Sequence, residues 1–482
     1  MADIQLKIQR FNRQVLLVCV LAMLSVAAGC KVGPDYKRPE PNMPSAFGEK
    51  AALTPASQPT QLADWWKTFD DPTLDQLIQD AIKGNLSLKQ TQSRLRQARE
   101  ERTITAAGLW PSANASGSYQ RIHGTGTSTA SGGSTEFSLY QAGFDAAWEL
   151  DVFGGTQRSV EAASANIAAA LEDQRDVLVS LLAEVAINYI DLRGFQRQIA
   201  IAQENLKSQR ESLALTQKQF EVGTVTELDV AQARTLTAAT AAQIPVLETS
   251  AHQTMHLLSV LLGKDPMAMS KLLSDANTPI PVVVPQIPVG LPSDLLRQRA
   301  DIRRSERQLA AATANIGVAT ADLFPKFSLT GSVGRAGTTF ESLGQPANKF
   351  WSVGPGVSWP IFTAGSIRAN IRVQNELQQQ AAITYEQTVL TALREVEDSL
   401  TAYAREHTRR KDLVDAVDAS RLAVNLANQQ YLLGTTSFLN VLIAQRTLFT
   451  AETSLVQSDM AVSADVVTIY KALGGGWQGQ PQ

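Results

Sequence analysis

The sequence predicts an α+β membrane protein that is internally duplicated, each copy containing a pair of strands and a very long helical hairpin. Three observations support this fold class. Separate motifs repeat at one fixed offset, two segments in each copy alternate apolar and polar residues, and two long stretches lack proline. A shared offset between unrelated motifs indicates duplication of a whole structural unit.

The offset is 211 residues, the separation of Trp148 from Trp359 and of Gly223-Thr224 from Gly434-Thr435. The apolar positions of the first long helix recur in the second at the same offset. They are Leu178, Leu182, Val185, Tyr189 and Leu192, followed by Val389, Leu393, Val396, Leu400 and Tyr403. Their 4,3 spacing is typical of a coiled-coil seam. Helices with such narrow seams are expected to pack side by side with like helices and to face water elsewhere.

The repeats predict the division of the chain. The first repeat covers residues 64–262, and the second covers residues 292–473. Each is expected to begin with a helix, at about 64–108 and about 292–322. Four strands are predicted, at about 110–122, 136–153, 325–336 and 350–362. The last three follow strict period-two patterning, and the first has a weaker alternation. The long hairpins are predicted at about 157–262 and 366–473, with an equatorial linker at 263–291 and a C-terminal tail at 474–482.

The N-terminus is predicted to carry a lipoprotein signal peptide over residues 1–29. A basic start is followed by a short apolar segment that ends at Ala27-Ala28-Gly29-Cys30. Cys30 is the predicted lipidation site, and the alternative is an ordinary secretory cleavage site with an incidental cysteine. Processing would leave Cys30 as the only cysteine, which excludes an internal disulfide. The proline-rich residues 30–63 are expected to form an acylated tether.

The strands place a demand on assembly. Membrane-embedded sheets must satisfy every backbone hydrogen bond, and the smallest single-chain barrels have about eight strands. Four strands therefore require other copies of the chain to close a barrel, although the patterning alone does not fix how many. The net charge of −3 and the lack of long basic runs exclude a typical nucleic-acid binder.

Several motifs resemble the TolC-like outer-membrane factor family. They are Gly290-Leu-Pro-Ser-Asp-Leu-Leu-Arg-Gln-Arg-Ala-Asp-Ile-Arg, Ala314-Asn-Ile-Gly-Val-Ala and Leu323-Phe-Pro. The stretch Gly29-Cys-Lys-Val-Gly-Pro-Asp-Tyr-Lys-Arg-Pro is similar to the mature N-terminus of the NodT and RND-type efflux lipoprotein subgroup. Ala300 departs from the family pattern, which commonly has proline there.

The resemblance implies a homotrimer in the bacterial outer membrane. Its twelve-stranded transmembrane β-barrel would be continuous with a twelve-helix α-barrel that projects into the periplasm. The implied partners are a periplasmic adaptor (membrane fusion) protein, an inner-membrane RND-type transporter and outer-membrane lipid, with no cofactor. The expected function is passive export, and the alternative is a periplasmic coiled-coil adaptor or scaffold lipoprotein. Drugs, organic acids and metal ions all remain open as substrates.

The turns of the two hairpins are predicted to form a periplasmic tip that gates the duct. Its candidate residues are Gly223, Thr224, Leu228, Asp229, Gly434, Thr435, Leu439, Asn440, Ile443 and Arg446. In the family a leucine and an aspartate after the second turn narrow the closed tip; Leu439 fits this pattern and Ile443 departs from it. Arg446 is expected to pair with acidic neighbours. For Asp229 and Asn440, plain helix capping is the alternative role.

Glu248, His252 and His256 are the one candidate metal-binding set, because their spacing places them on one helical face. The favoured interpretation is that these three are polar surface residues, so no metal site is predicted. No other constellation indicates catalysis, and the sequence contains no phosphate loop or nucleophile elbow.

Overall fold

The computed structural model describes residues 31–41, 43–48, 62–125, 134–275, 278–282 and 292–478. The predicted signal peptide and Cys30 lie outside these residues. The chain divides into two compact units. Unit 1 comprises Met1–Glu40, Leu95–Ala170 and Ser305–Tyr385, and unit 2 comprises Pro41–Arg94, Leu171–Arg304 and Glu386–Gln482.

The described chain is mostly helical. In order, the α-helices are α1 Pro72–Gly84, α2 Leu86–Ala107, α3 Gly155–Glu221, α4 Glu227–Leu261, α5 Ser270–Leu273, α6 Leu295–Gln298, α7 Ala300–Ala321, α8 Ser366–Leu432 and α9 Phe438–Ala472. Short 3-10 helices occupy Trp65–Phe69, Pro292–Asp294, Glu341–Gly344 and Pro346–Asn348. None of the helices in the described ranges is both long and apolar enough to cross a membrane.

Unit 1 contains one antiparallel sheet of four strands. They are β1 Ser112–Thr125, β2 Ser134–Leu150, β3 Lys326–Gly337 and β4 Lys349–Ser358, in the order β1-β2-β3-β4. Strands from both copies thus join in one sheet through the pairing of β2 with β3. Within the described residues, β1 and β4 each pair with a single strand, so each leaves one edge unpaired.

The register makes the sheet amphipathic. One row across the four strands consists of Ala115, Phe144, Val333 and Trp351. The adjacent row, which points to the opposite face, consists of Asn114, Asp145, Ser332 and Ser352. Side chains of the polar row bond to one another: the Asn114 amide donates to Asp145 at 3.3 Å, and the Ser332 and Ser352 hydroxyls lie 2.8 Å apart. The apolar row is exposed, with Trp351 at 75%.

The two copies anchor the sheet by the same contact. The Trp148 indole Nε1 donates to the Leu109 carbonyl at 3.0 Å, and the Trp359 indole Nε1 donates to the Leu323 carbonyl at 3.0 Å. Each leucine lies within the short connection between a helix and the first strand of its pair. The repeated Trp and Leu-aromatic-Pro motifs are therefore two parts of one structural joint.

Two strands end earlier than the alternation predicts. β2 stops at Leu150 because the Asp151 carboxylate accepts from the backbone nitrogens of Thr156 at 3.0 Å and Gln157 at 2.7 Å, which starts α3. β4 stops at Ser358, and Pro360 follows two residues later. Proline has no backbone N–H to donate to a strand ladder.

Each repeat begins with a broken helix rather than the continuous one predicted. In the first copy the break is at Asn85, whose backbone is not helical and whose carboxamide donates to the Leu261 carbonyl at 2.8 Å. In the second copy it is at Arg299, whose backbone is extended and whose buried guanidinium donates to the Ala472 carbonyl at 2.8 Å. Both breaks bring a polar side chain to the C-terminal end of another helix, where carbonyls lack partners.

Unit 2 contains most of the long helices α3 and α8, each of 67 residues. The predicted seam is the buried stripe: of its ten apolar residues, all but Leu393 are buried. α3 begins at Gly155 and has one glycine in its interior, Gly194, where a Cβ would come within 2.1 Å of the Met460 sulfur of α9. The glycine therefore permits close packing of these two helices.

Candidate functional site: the hairpin tips

The two hairpin turns have the same backbone geometry. Gly223 and Gly434 have φ of 76° and 72°, the left-handed region that glycine adopts without strain. The Thr224 nitrogen donates to the Gln219 carbonyl at 2.9 Å, and the Thr435 nitrogen donates to the Gln430 carbonyl at 2.9 Å. Each threonine hydroxyl also donates to the same carbonyl as its own nitrogen. These bonds, with those from the glycine nitrogens, form a Schellman motif.

The helices resume with different caps. In the first hairpin Thr226 and Asp229 form a complete capping box: the Asp229 carboxylate accepts from the Thr226 nitrogen at 2.9 Å and from its hydroxyl at 2.7 Å. In the second hairpin Ser437 makes no side-chain cap bond, and the Asn440 carboxamide donates to the Thr436 hydroxyl at 2.7 Å. Positions that match by sequence thus differ in chemistry.

An apolar cluster beneath the second turn fixes the tip. Its buried members are Ala233, Phe438, Val441 and Leu442, and its partly buried members are Leu213, Leu236, Ala427 and Tyr431. This cluster is not visible in any local sequence pattern, because its members come from all four helices of the two hairpins. Phe438 is the first residue of α9 and is 3% exposed. The aromatic residue shortly after the second turn was the one sequence feature that could have indicated a buried cluster there.

Polar contacts continue away from the cluster. The Tyr431 hydroxyl donates to the Gln219 side-chain oxygen, which ties the C-terminal turns of α8 and α3 together. Burial raises the pKa of Tyr431, the Thr216 hydroxyl lowers it, and the Asp229 carboxylate raises it. Tyr431 is therefore a neutral hydrogen-bond donor at physiological pH.

Four of the predicted tip residues line one groove of about 550 Å³, formed by α4 and α9. They are Leu228, Leu439, Ile443 and Arg446. Their apolar members are unusually open, with Leu228 64%, Leu439 47% and Ile443 45% exposed. The groove places an apolar wall beside a cationic side chain, a surface suited to a partner helix or another copy of the chain.

Arg446 and Asp229 do not pair with each other within the described chain. The Asp229 carboxylate is engaged with Thr226, and among the described residues no carboxylate forms an ion pair with the Arg446 guanidinium. The capping role considered for Asp229 is thus observed, whereas a gating role requires contacts beyond one chain.

The candidate metal-binding residues lie on α4. The His252 and His256 rings are 6.4 Å apart between centroids, and His252 is exposed. Across the ranges that the structure describes, no group of three or more His, Cys, Asp or Glu side chains is arranged to hold a metal ion.

The amphipathic four-stranded sheet and the two long hairpins define the fold of TolC-like outer-membrane channels. The model of the outer membrane efflux protein family matches residues 77–264 and 291–475. The chain belongs to this family of channel proteins, and it is an outer-membrane channel of efflux. The predicted fold class, outer-membrane location and export function are confirmed, and the alternative of an adaptor or scaffold is wrong.

The similarity extends along nearly the whole chain. Nodulation protein T of Rhizobium leguminosarum bv. viciae is 35% identical over 475 residues, which cover 96% of this chain and 93% of that protein. The toluene efflux pump outer membrane protein TtgF of Pseudomonas putida is 35% identical over 469 residues, covering 94% and 96%. The solved outer-membrane channel OprN matches with a TM-score of 0.86 and 39% identity, covering 93% of this chain and 100% of OprN.

Proposed function

We propose that the chain assembles as a homotrimer anchored by acylated Cys30, and that it passively exports small organic molecules delivered by a periplasmic adaptor and an inner-membrane RND-type transporter. One observation carries the proposal: in the part of the chain that the structure describes, a sheet with one exposed apolar face and two unpaired edges occurs together with two long hairpins. Three such sheets would supply twelve strands, which leave an aqueous lumen in a closed barrel.

The partners and substrate class are supported by relatives. Similar proteins are named as outer-membrane components of toluene, solvent and antibiotic efflux pumps. The polar row of the sheet offers only small hydroxyl, amide and carboxylate groups to the lumen, so selection of substrates is assigned to the pump. The duct itself carries out no chemical step in this proposal.

The gate is proposed at the tips. Because Arg446 has no ion-pair partner within the described chain, its partner in the closed tip would be an acidic group of a neighbouring protomer. Asp229 is the proposed acid, with its capping bond to Thr226 holding the carboxylate in place. Leu439 would narrow the same opening, while Ile443 adds no charge.

Conductance of the purified full-length channel in planar bilayers tests the gate. Joint replacement by Asp229→Ala and Arg446→Ala removes one charge of each sign and is expected to raise the conductance several-fold. The matched control, Glu248→Ala with Lys471→Ala, removes the same charges from exposed positions on the same two helices. Unchanged conductance in the first pair would refute the proposed gate.

Export is tested in cells that lack their own outer-membrane efflux channels and contain a cognate adaptor and pump. The wild-type chain is expected to lower accumulation of a fluorescent efflux dye. A Leu439→Cys variant should lose this export under oxidation and regain it under reduction, because thiols near the trimer axis would crosslink. Leu228→Cys, at the matching place in the first hairpin, is the control. Dye accumulation that the wild-type chain does not change would count against the export role.

A further inference from the structure

The N-terminal residues 31–38 lie across unit 1 and are held at two seats. At the first seat, the Arg158 guanidinium is 1% exposed and donates to four acceptors. Three belong to the N-terminal segment: the carbonyls of Val32 at 2.9 Å and Gly33 at 3.1 Å, and the Asp35 carboxylate at 2.8 Å. The fourth is the Glu161 carboxylate at 2.9 Å. A buried guanidinium is stable only when its donors are satisfied, so the segment completes this site.

Two glycines allow the segment to lie this close. Gly33 has φ of 88°, and a Cβ there would come within 2.4 Å of the Gly317 Cα. A Cβ on Gly317 would in turn lie 2.7 Å from the Arg158 side chain. The N-terminal segment therefore crosses α7 at a glycine–glycine contact, with Arg158 beneath it. Gly33 and Gly317 belong to the two sequence motifs that identify the subgroup and the family.

The second seat is Glu306, which is 2% exposed. Its carboxylate accepts from the Tyr36 hydroxyl at 3.1 Å and pairs with the Arg38 guanidinium at 3.2 Å. Arg307, on the same helix, pairs with it at 2.5 Å. Burial, followed by the Glu306 charge, raises the pKa of Tyr36, so its hydroxyl keeps the proton that it donates.

The first seat lies next to the end of β2. The Val32 nitrogen donates to the Phe153 carbonyl at 3.2 Å, and the Phe153 ring stacks on the Phe324 ring at 4.5 Å. Trp148, near the end of β2, and Trp359, directly after β4, make matching indole contacts in the same unit. Aromatic residues at strand ends are typical of the membrane–water interface.

We propose that Arg158 and Glu306 form a built-in receptor for residues 31–38, which holds the acylated N-terminus against the end of β2 that leads into α3. The anchoring part of this inference rests on the proposed acylation of Cys30. With the segment seated, the acyl chains and the sheet enter the bilayer at the same level. The acyl chains would thus be held at a fixed place beside the membrane-spanning sheet, and would not be a loose tether.

Limited trypsin digestion of the full-length protein in isolated outer membranes tests the seats. Lys37 is exposed, so trypsin can recognise its side chain. The bond between Lys37 and Arg38 can enter the trypsin active site only after residues 31–38 detach from Arg158 and Glu306. Arg158→Met is expected to speed this cleavage at least tenfold. The control Arg99→Met makes the same exchange at an exposed arginine of unit 1 and should behave as the wild type. A rate for Arg158→Met within twofold of the wild type would overturn the proposal.

Replacement of the buried Arg158 could disturb folding, so a second variant changes only residues of the N-terminal segment. Asp35→Asn combined with Tyr36→Phe removes one contact to each seat and leaves every residue of α3 and α7 unchanged. It should also be cleaved at least tenfold faster, whereas Glu40→Gln, an exposed change just beyond the seats, should not. Equal rates for the two variants would overturn the receptor even if Arg158→Met failed to fold.

The mass of the released N-terminal peptide separates the two parts of the inference. A peptide that begins at Cys30 and carries acyl chains supports the positioned anchor. A peptide without acyl chains would overturn the anchor, and with it the proposed lipidation, while slow cleavage in the wild type would still support the receptor. Rapid cleavage of an acylated wild-type chain would overturn the receptor and leave the lipidation standing.

Discussion

The Asp229 carboxylate accepts hydrogen bonds from both the nitrogen and the hydroxyl of Thr226, and the second hairpin has no equivalent pair. Asn440 occupies the place that matches Asp229, and Ser437 makes no side-chain cap bond. The two tips therefore share a turn and differ in how firmly the following helix begins.

This difference predicts unequal effects of removing the N-cap hydroxyl. Thr226→Ala should lower the free energy of local unfolding at the start of α4 by about 1 kcal/mol, because the capping box is lost. Ser437→Ala should change the start of α9 by less than about 0.3 kcal/mol, since no cap bond is lost. Hydrogen exchange of the first-turn amides measures both, and equal effects would contradict the assigned caps.

Phe438 is predicted to hold the tip core together. Phe438→Ala removes a ring that is 3% exposed from the apolar cluster and should cost about 3–4 kcal/mol in local stability. Proteolysis at the second turn should become much faster. Leu433→Ala, a neighbour that is 78% exposed, serves as the control and should leave the rate nearly unchanged.

Gln209 is a buried amide whose nitrogen and oxygen both lack partners within the described residues. It is 2% exposed on α3. Gln209→Met keeps the side-chain length and removes the unsatisfied groups, so it should stabilise the helical hairpins by about 1–2 kcal/mol. Thermal unfolding followed by circular dichroism measures the gain. Exposed Gln203→Met on the same helix should give no comparable gain.

Asp465 is predicted to make stability depend on pH. Burial, followed by the Glu406 charge, raises its pKa to about 6. An acid with a higher pKa in the folded chain contributes stability below its unfolded pKa, and this contribution is lost as the pH rises through about 6. Asp465→Asn should therefore raise the free energy of unfolding at pH 7.5 by about 1 kcal/mol, after solvent screening, and have little effect at pH 4.

The comparison for this prediction is thermal unfolding at the two pH values. Exposed Asp412→Asn on α8 controls for the loss of a carboxylate. A gain for Asp465→Asn that is the same at pH 4 and pH 7.5 would contradict the assigned cause.

The parts of the fold that follow local rules were predictable from the sequence. Period-two patterning located the four strands, the 4,3 spacing located the buried stripe of α3 and α8, and the glycines located both turns. The helix break at Arg299 was not predictable, because its guanidinium bonds a carbonyl far away in sequence. The break at Asn85 has a local signal that the helical pattern hides, since the Asn85 side-chain oxygen accepts from the Leu88 nitrogen at 2.9 Å as an N-cap of α2. The alternation also predicted β2 to be too long. It carries no information on the hydrogen bonds by which the Asp151 carboxylate caps the first amides of α3 and ends the strand.

The candidate tips divide in the same way. The turns at Gly223 and Gly434 were predictable, because glycine is the residue that adopts the backbone geometry of such a turn. For Asp229 the sequence allowed either a gating or a capping role, and the structure shows the capping bond. The apolar cluster around Phe438 depends on four helices meeting, which no single stretch encodes. The pairing of Arg446 with Asp229 of a neighbouring protomer is a prediction for the proposed trimer.

Among the residues that the structure describes, β1 and β4 each leave one edge unpaired, so each chain of the proposed trimer would depend on intact edges in its neighbours. A lone sheet in lipid would leave a row of backbone groups without partners, at several kcal/mol each. A chain with a damaged edge strand would therefore prevent closure of the barrel that it joins, and the wild-type chains in that barrel would lose function as well. If half of the chains in a cell carried such damage, only about one proposed trimer in eight would be free of it. An edge mutation would then be genetically dominant, whereas loss of the gene would be recessive.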